Sequence, residues 1–147
     1  MFDPLAENVN ARLASQIVWF DALVMNVDRT VKNPNLLRWQ NDLWLIDHGA
    51  AFYFHHNWAN DYMVRSQARF APLRDHVLLP FASELEDVDA GLAGHLTTER
   101  LQEIINAIPD AWLANEPPFQ NANAVRDAYL SFLVSRLQAP RQFFKVA

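Results

Sequence analysis

Leu13, Ile17, Phe20, Val24 and Val27 recur at spacings of 4, 3, 4 and 3, a rhythm that commits the start of the chain to one amphipathic helix rather than to strands. The predicted helix runs from about Asn10 to Asn26, with Asn10 as its N-cap, because a short side-chain oxygen can accept from the first unpaired N–H groups. It leads into a polar loop, Asp28 to Asn35, that contains Pro34. Only about 25 residues precede this loop in the sequence and the helix occupies most of them, so no sheet is expected among them.

After the loop come two short runs, Leu36-Leu37-Arg38-Trp39 and Leu43-Trp44-Leu45-Ile46, separated by Gln40-Asn41-Asp42. Branched and aromatic residues on either side of turn-forming Asn and Asp predict a small β-hairpin. That hairpin delivers Asp47 at the end of its second strand. From Gly49 to about Pro80 the chain is aromatic-rich and reads as irregular, with a helical turn or two. The remainder is helical. Thr97 is the predicted N-cap of a helix carrying Leu101, Ile104, Ile105 and Ile108, which Pro109 interrupts. A last helix starts near Asn121 or Asn123, carries Val125, Tyr129, Phe132, Leu133 and Leu137, and stops at Pro140. The expected fold class is mainly α with one small hairpin, as a single domain over residues 1–147.

Composition narrows the function classes. With 51% hydrophobic and 20% charged residues the chain is globular, and its five Trp and ten Phe imply an aromatic core. A net charge of -5 argues against indiscriminate electrostatic binding of nucleic acid. The absence of cysteine removes disulfides and zinc-thiolate sites and suits a cytoplasmic location. The N-terminus has no basic stretch followed by an apolar one, so no signal peptide is expected. The longest apolar run, Ala50 to Phe54, is too short to span a bilayer.

The order helix, polar loop, hairpin, acidic triplet carries the chemistry. Phosphoryl transfer asks for a carboxylate that orients the attacking hydroxyl and for oxygen ligands that fix magnesium against nucleotide phosphates. Protein kinases supply these from a loop Asp, an Asn five residues later, and the Asp of a triplet ending in Gly after a short hairpin. Here Asp28 is followed five residues on by Asn33, then by a hairpin, then by Asp47-His48-Gly49. Pro34 biases Asn33 toward extended geometry, and Gly49 lets the chain turn sharply after Asp47. An Asp with an Asn five residues on is common in polar loops; the hairpin and triplet in the right order give the pair its meaning.

The run from Asn26 through Asp28-Arg29-Thr30-Val31-Lys32-Asn33 to Leu37, followed by Leu43-Trp44-Leu45-Ile46-Asp47-His48-Gly49-Ala50-Ala51, resembles HipA-like kinases. More distantly it resembles the catalytic loop of phosphatidylinositol 3- and 4-kinases. The resemblance extends from about Asn10 to the C-terminus. It implies a protein-kinase-like C-terminal lobe with Asp28 as catalytic base, Asn33 and Asp47 as magnesium ligands, and Lys32 as a phosphate contact. Arg29, His48 and Gly49 are the expected loop-orienting residues. Thr30 departs from the His of the lipid-kinase loop, and His48 from the usual Phe after the metal-binding Asp. The implied cofactors are ATP and Mg2+, and the implied partner is a protein Ser or Thr substrate.

A kinase also needs an N-terminal lobe with a sheet, commonly a phosphate-covering loop, and a lysine for the nucleotide. No glycine precedes Gly49 and no lysine precedes Lys32. The expectation is therefore a fragment of a longer kinase, or a chain that pairs with a separately encoded N-terminal lobe and is inactive alone. The alternative is a non-catalytic helical interaction module or pseudokinase.

Other residues have plainer readings. His55 and His56 are adjacent and would diverge on a strand, so ordinary loop or core histidines outweigh a metal site with His48 and His76. Packing of His48 in the core, in place of the usual Phe, outweighs hydrogen bonding to the loop. Arg65, Arg69 and Arg74 fall where an activation or substrate segment would lie, but solvated surface charge outweighs that reading.

Overall fold

The computed structural model describes residues 3, 7–58, 62–114 and 116–146. The first helix, α1, spans Ala11–Leu23. Asn10 caps it as expected, its Oδ1 accepting the N–H groups of Arg12 at 3.0 Å and Leu13 at 3.2 Å. The buried face differs from the predicted stripe. Leu13 and Phe20 are 41% and 40% exposed, whereas Ala14, Ile17, Val18 and Ala22 are buried. The small alanines let a neighbouring element approach closely, so the face is set by shape as well as by hydrophobicity. Ser15 and Asp21, both polar, lie on the same buried face.

The hairpin consists of β1, Leu36–Trp39, and β2, Asp42–Leu45, paired antiparallel with Leu36 opposite Leu45 and Leu37 opposite Trp44. Gln40 and Asn41 turn the chain with φ of 49° and 70°, the double left-handed geometry that suits the right-handed strand twist. Alternation sends Leu36 into the core and leaves Leu37, Trp39 and Trp44 on the exposed face. The aromatic core is thus only partly what composition implies. Trp19 and Trp58 are buried, but Trp39, Trp44 and Trp112 are exposed.

Beyond the hairpin the irregular stretch contains three 3₁₀ turns, Tyr53–Asn57, Ala71–Asp75 and Leu79–Phe81, and a short helix α2, Tyr62–Ser66. Three longer helices follow: α3 over Leu85–His95, α4 over Thr98–Asn106 and α5 over Ala122–Arg136. Thr97 and Asn121 cap α4 and α5 through their side-chain oxygens. α1 packs on α3, while α5 packs on both α2 and α4. The fold is mainly α with a single small hairpin, as expected. Among the described residues no helix is long and apolar enough to cross a membrane.

Two charged side chains lock these layers. Asp89 of α3 accepts from Trp19 Nε1 at 2.9 Å and from Arg141 through both carboxylate oxygens. Burial pushes its carboxyl up, but the Arg141 and Trp19 hydrogen bonds outweigh this and hold it low. Arg136 of α5 is 2% exposed and donates to the carbonyls of Ala22 at 2.7 Å and of Arg65 and Ser66 at 3.1 Å. One guanidinium therefore satisfies carbonyls at the ends of both α1 and α2, with its carbon 4.8 Å from the Phe143 ring centre. Burial pushes this group down to about 9, so it stays charged at neutral pH. Replacing Arg136→Ala strands those carbonyls and leaves a void, and is expected to cost about 3 kcal/mol. Urea unfolding measures this; a variant within about 0.5 kcal/mol of the parent would refute the clamp.

Candidate active site

The loop that follows α1 is held by its own amides. Asn33 Nδ2 donates to Asp28 Oδ2 at 2.7 Å, and Asn35 Nδ2 donates to the same oxygen at 3.3 Å and to the Asp28 carbonyl at 3.1 Å. Thr30 and Asn33 exchange backbone hydrogen bonds at 3.0 and 3.2 Å, so the chain reverses tightly between them. Lys32 and Val31 sit exposed on that turn. Because the Asn33 amide nitrogen is spent on Asp28, its Oδ1 is left as the acceptor. Asp28 and Asn33, five residues apart, are therefore brought into direct contact.

Asp47 follows β2 and is exposed. The sharp turn expected at Gly49 belongs to Asp47 itself, whose φ is 50°; no described glycine has a positive φ. The role of Gly49 is space. A Cβ there would lie 3.3 Å from Asp47 Oδ1, and the Gly49 N–H donates to that same oxygen at 3.4 Å. His48 also departs from expectation. It does not enter the core but lies exposed, edge-on to Phe20 with ring centres 6.1 Å apart. Its Nε2 is 3.1 Å from Arg29 Nη2. Arg29 has only donors, so His48 accepts.

Arg29 is 1% exposed and pairs with Asp21 of α1 rather than with Asp28. Its Nε and Nη2 reach the Asp21 carboxylate, Nη1 reaches the Asn35 carbonyl and, at 3.5 Å, the Ile46 carbonyl, and Nη2 also meets His48. Asp21 in turn accepts from Asn26 Nδ2 at 3.0 Å and from His76 Nε2 at 3.0 Å. His76 Nδ1 accepts the Leu78 N–H at 3.0 Å, which fixes the ring proton on Nε2. Neither Asp21 nor His76 was legible as part of this site. A polar residue on the predicted helix face, eight positions before Arg29, was the one signal available.

Burial pushes the Asp21 carboxyl up, yet the hydrogen bonds from His76 and Arg29 and the charge of Arg29 prevail and hold it below the ordinary carboxylate range. A depressed folded value means its contribution to stability is complete above about pH 4 and fades as pH falls through that lower value.

A cleft of about 790 Å³ opens beside the triplet, bounded by Phe20 and Val24, by His48 and Gly49, and by Ile104 and Tyr129. Within it His55 Nδ1 meets the Tyr129 hydroxyl at 2.8 Å. Burial, reinforced by Glu116, pushes that phenol up to about 12, and burial, reinforced by His56, pulls His55 down. The pair is thus neutral near pH 7. Among the described residues no three of His, Cys, Asp and Glu gather as a metal-ligand group. Asn33 and Asp47 instead offer one amide oxygen and one carboxylate, hard oxygen donors of the kind magnesium takes.

A family model for HipA-like kinases matches residues 4–145. The chain belongs to the HipA-like kinase family, a family of kinase-related phosphotransferases. No curated protein and no solved structure matches it significantly.

Replacing Asp21→Asn leaves Arg29 buried without its counter-charge and is expected to cost about 3 kcal/mol at pH 7. The gap between parent and variant should narrow as pH falls below about 4, where the parent carboxylate protonates too. Denaturant unfolding at pH 7 and pH 3 checks this, and a gap that stays constant would contradict the assignment.

Proposed function

We propose that this lobe catalyses ATP- and Mg2+-dependent phosphoryl transfer to a hydroxyl, on a protein Ser or Thr. The observation that carries the reading is the Asp28–Asn33 contact at 2.7 Å, in a loop tied through Arg29 to the carbonyl that precedes Asp47, in a chain of the HipA-like kinase family.

Asp28 has one carboxylate oxygen engaged by two amides, which leaves Oδ1 to accept the proton of an attacking hydroxyl. Fixing the carboxylate in this way orients it before substrate arrives. Asn33 Oδ1 and the Asp47 carboxylate are the groups that would hold magnesium, and the Gly49 N–H steadies the latter. When bound, the ion supplies charge neutralisation on the transferring phosphates. Lys32, exposed on the same turn, would contact phosphate as a point charge. The apolar cleft next to His48 and Gly49 offers the acceptor protein a wall on which to seat the segment carrying its hydroxyl.

The only sheet among the described residues is the hairpin. The surface that covers the nucleotide phosphates, and its lysine, would therefore come from another polypeptide segment or a separate chain. On this reading activity requires that partner, and the cytoplasm is the compartment that holds the ATP.

Calorimetry with ATP should show binding that depends on Mg2+, weakened by more than roughly tenfold, about 1.4 kcal/mol, in Asp47→Ala. Asp47 is exposed, so this variant should melt with the parent. Asp28→Asn should bind nucleotide yet lose phosphoryl transfer once the covering lobe is supplied. Undiminished Mg2+-dependent binding in Asp47→Ala, or undiminished transfer in Asp28→Asn, would overturn the assignment.

A further inference from the structure

The guanidinium of Arg29 occupies all five of its N–H groups: Nε and one Nη2 bond on Asp21, the other Nη2 bond on His48, and the two Nη1 bonds on the Asn35 and Ile46 carbonyls. Asp21 is equally complete, with Asn26 and Arg29 on Oδ1 and His76 and Arg29 on Oδ2. Asp21, Arg29 and His76 are buried, and only His48, the outermost partner, borders the cleft. The acceptors of the cluster are nonetheless specific in place. Asn35 lies two residues after Asn33, and Ile46 lies immediately before Asp47.

We infer that Asp21 and His76, acting through Arg29, are positioning residues that set the separation between the two proposed magnesium ligands. This rests on the phosphotransferase reading above and deepens it. The Ile46 N–H already donates to the Asn35 carbonyl at 3.0 Å, closing the open end of the hairpin. Arg29 adds a second tie across the same end and anchors both strand ends to α1. A hairpin held only by its own ladder can slide or splay; one bolted to a helix through a planar fork cannot do so without breaking a buried ion pair. His76 completes the anchor from the far side. The Val77 N–H donates to the Arg29 carbonyl at 3.0 Å and Thr30 pairs with His76, so the segment around His76 also grips the loop backbone.

Lysine cannot replace Arg29 in this role. It keeps the charge opposite Asp21, so the pair survives, but three donors on one nitrogen cannot reach Asp21, two carbonyls and His48 together. The variant Arg29→Lys therefore separates positioning from simple charge balance. The companion pair His76→Gln and His76→Phe does the same from the other end, since only Gln retains an N–H to donate to Asp21.

The test is nuclear magnetic resonance of the chain titrated with Mn2+·ATP, a paramagnetic probe that broadens amides near the bound ion. In the parent protein the amides of Asn33 and of Asp47 and Gly49 should broaden together. In Arg29→Lys and in His76→Phe, broadening should persist at one of the two segments while fading at the other. Apparent Mn2+·ATP affinity should fall roughly tenfold or more, the usual effect of removing groups that orient metal ligands. His76→Gln should restore most of the joint broadening. A folded but merely less stable variant would broaden both segments as the parent does, so a structural role alone does not mimic this result. If Arg29→Lys does not fold, the His76 pair decides. Joint broadening at parental affinity in the folded variants overturns the inference and leaves the phosphotransferase reading intact. No broadening in the parent overturns both.

Discussion

Asp21 and Arg29 form an ion pair with no exposed side-chain surface, and the arrangement of the site hangs on it. Removing two charges from water costs several kcal/mol per ion, recovered only when geometry is good and every remaining donor and acceptor is used. Here that condition is met through the Asn35 and Ile46 carbonyls, Asn26, His48 and His76. The consequence is rigidity of relation. α1, the loop after it, the hairpin and the segment at His76 share one buried cluster, so none can shift alone without leaving a buried polar group unpaired.

Such a pair is a weak source of stability, since well-packed apolar residues of similar volume often do as well. What apolar residues cannot do is specify where two backbone carbonyls sit relative to a helix. Arg136 uses the same logic elsewhere, reaching the carbonyls of Ala22, Arg65 and Ser66 from α5. The two arginines differ in one respect that matters. Arg136 spans helix ends and pairs with no carboxylate among the described residues, so its service is to packing. Arg29 ties the two segments that carry Asn33 and Asp47, through the Asn35 and Ile46 carbonyls, so its service is to the proposed site.

Much of the fold could be read from residue spacing. Asn10, Thr97 and Asn121 announce helix starts because an N-cap is a local interaction. The hairpin turn is equally local, although it falls on Gln40 and Asn41, with Asp42 already in β2, and not on the expected Asn41-Asp42 pair. The five-residue spacing of Asp28 and Asn33 was legible because both lie on one short loop, whereas their direct hydrogen bond was not. What escaped was everything that depends on long-range partners. The burial of Asp21 beside Arg29 and His76 joins positions 55 residues apart, and no periodicity encodes it. The outward Trp39 and Trp44 follow from which hairpin face meets the core, a choice alternation leaves open. His48 went the other way from its expected core packing because Arg29 offers it a donor at 3.1 Å.

The left-handed residues sharpen the same point about the site. Among the described residues, six that are not glycine have positive φ, and apart from the turn pair Gln40 and Asn41 they are Met25, Asn35, Asp47 and Phe52. These four bracket the two segments that carry the proposed ligands, Met25 and Asn35 around the Asp28 loop, Asp47 and Phe52 around the triplet. Each costs on the order of 1 kcal/mol in a residue bearing a Cβ. A chain with three glycines could have relieved that cost by placing a glycine at any of them. Instead Asn35 keeps a side chain that donates to Asp28, Asp47 keeps a carboxylate, and Phe52 keeps a ring packed on Phe54, Tyr129 and Phe132. Glycine is used at position 49, where backbone freedom is not needed and the absent Cβ leaves room for the Asp47 oxygen. Strain is thus accepted where a side chain has a task and avoided where only space is required. That pattern fits a loop pair shaped around a ligand better than it fits a connection that merely joins a helix to a hairpin.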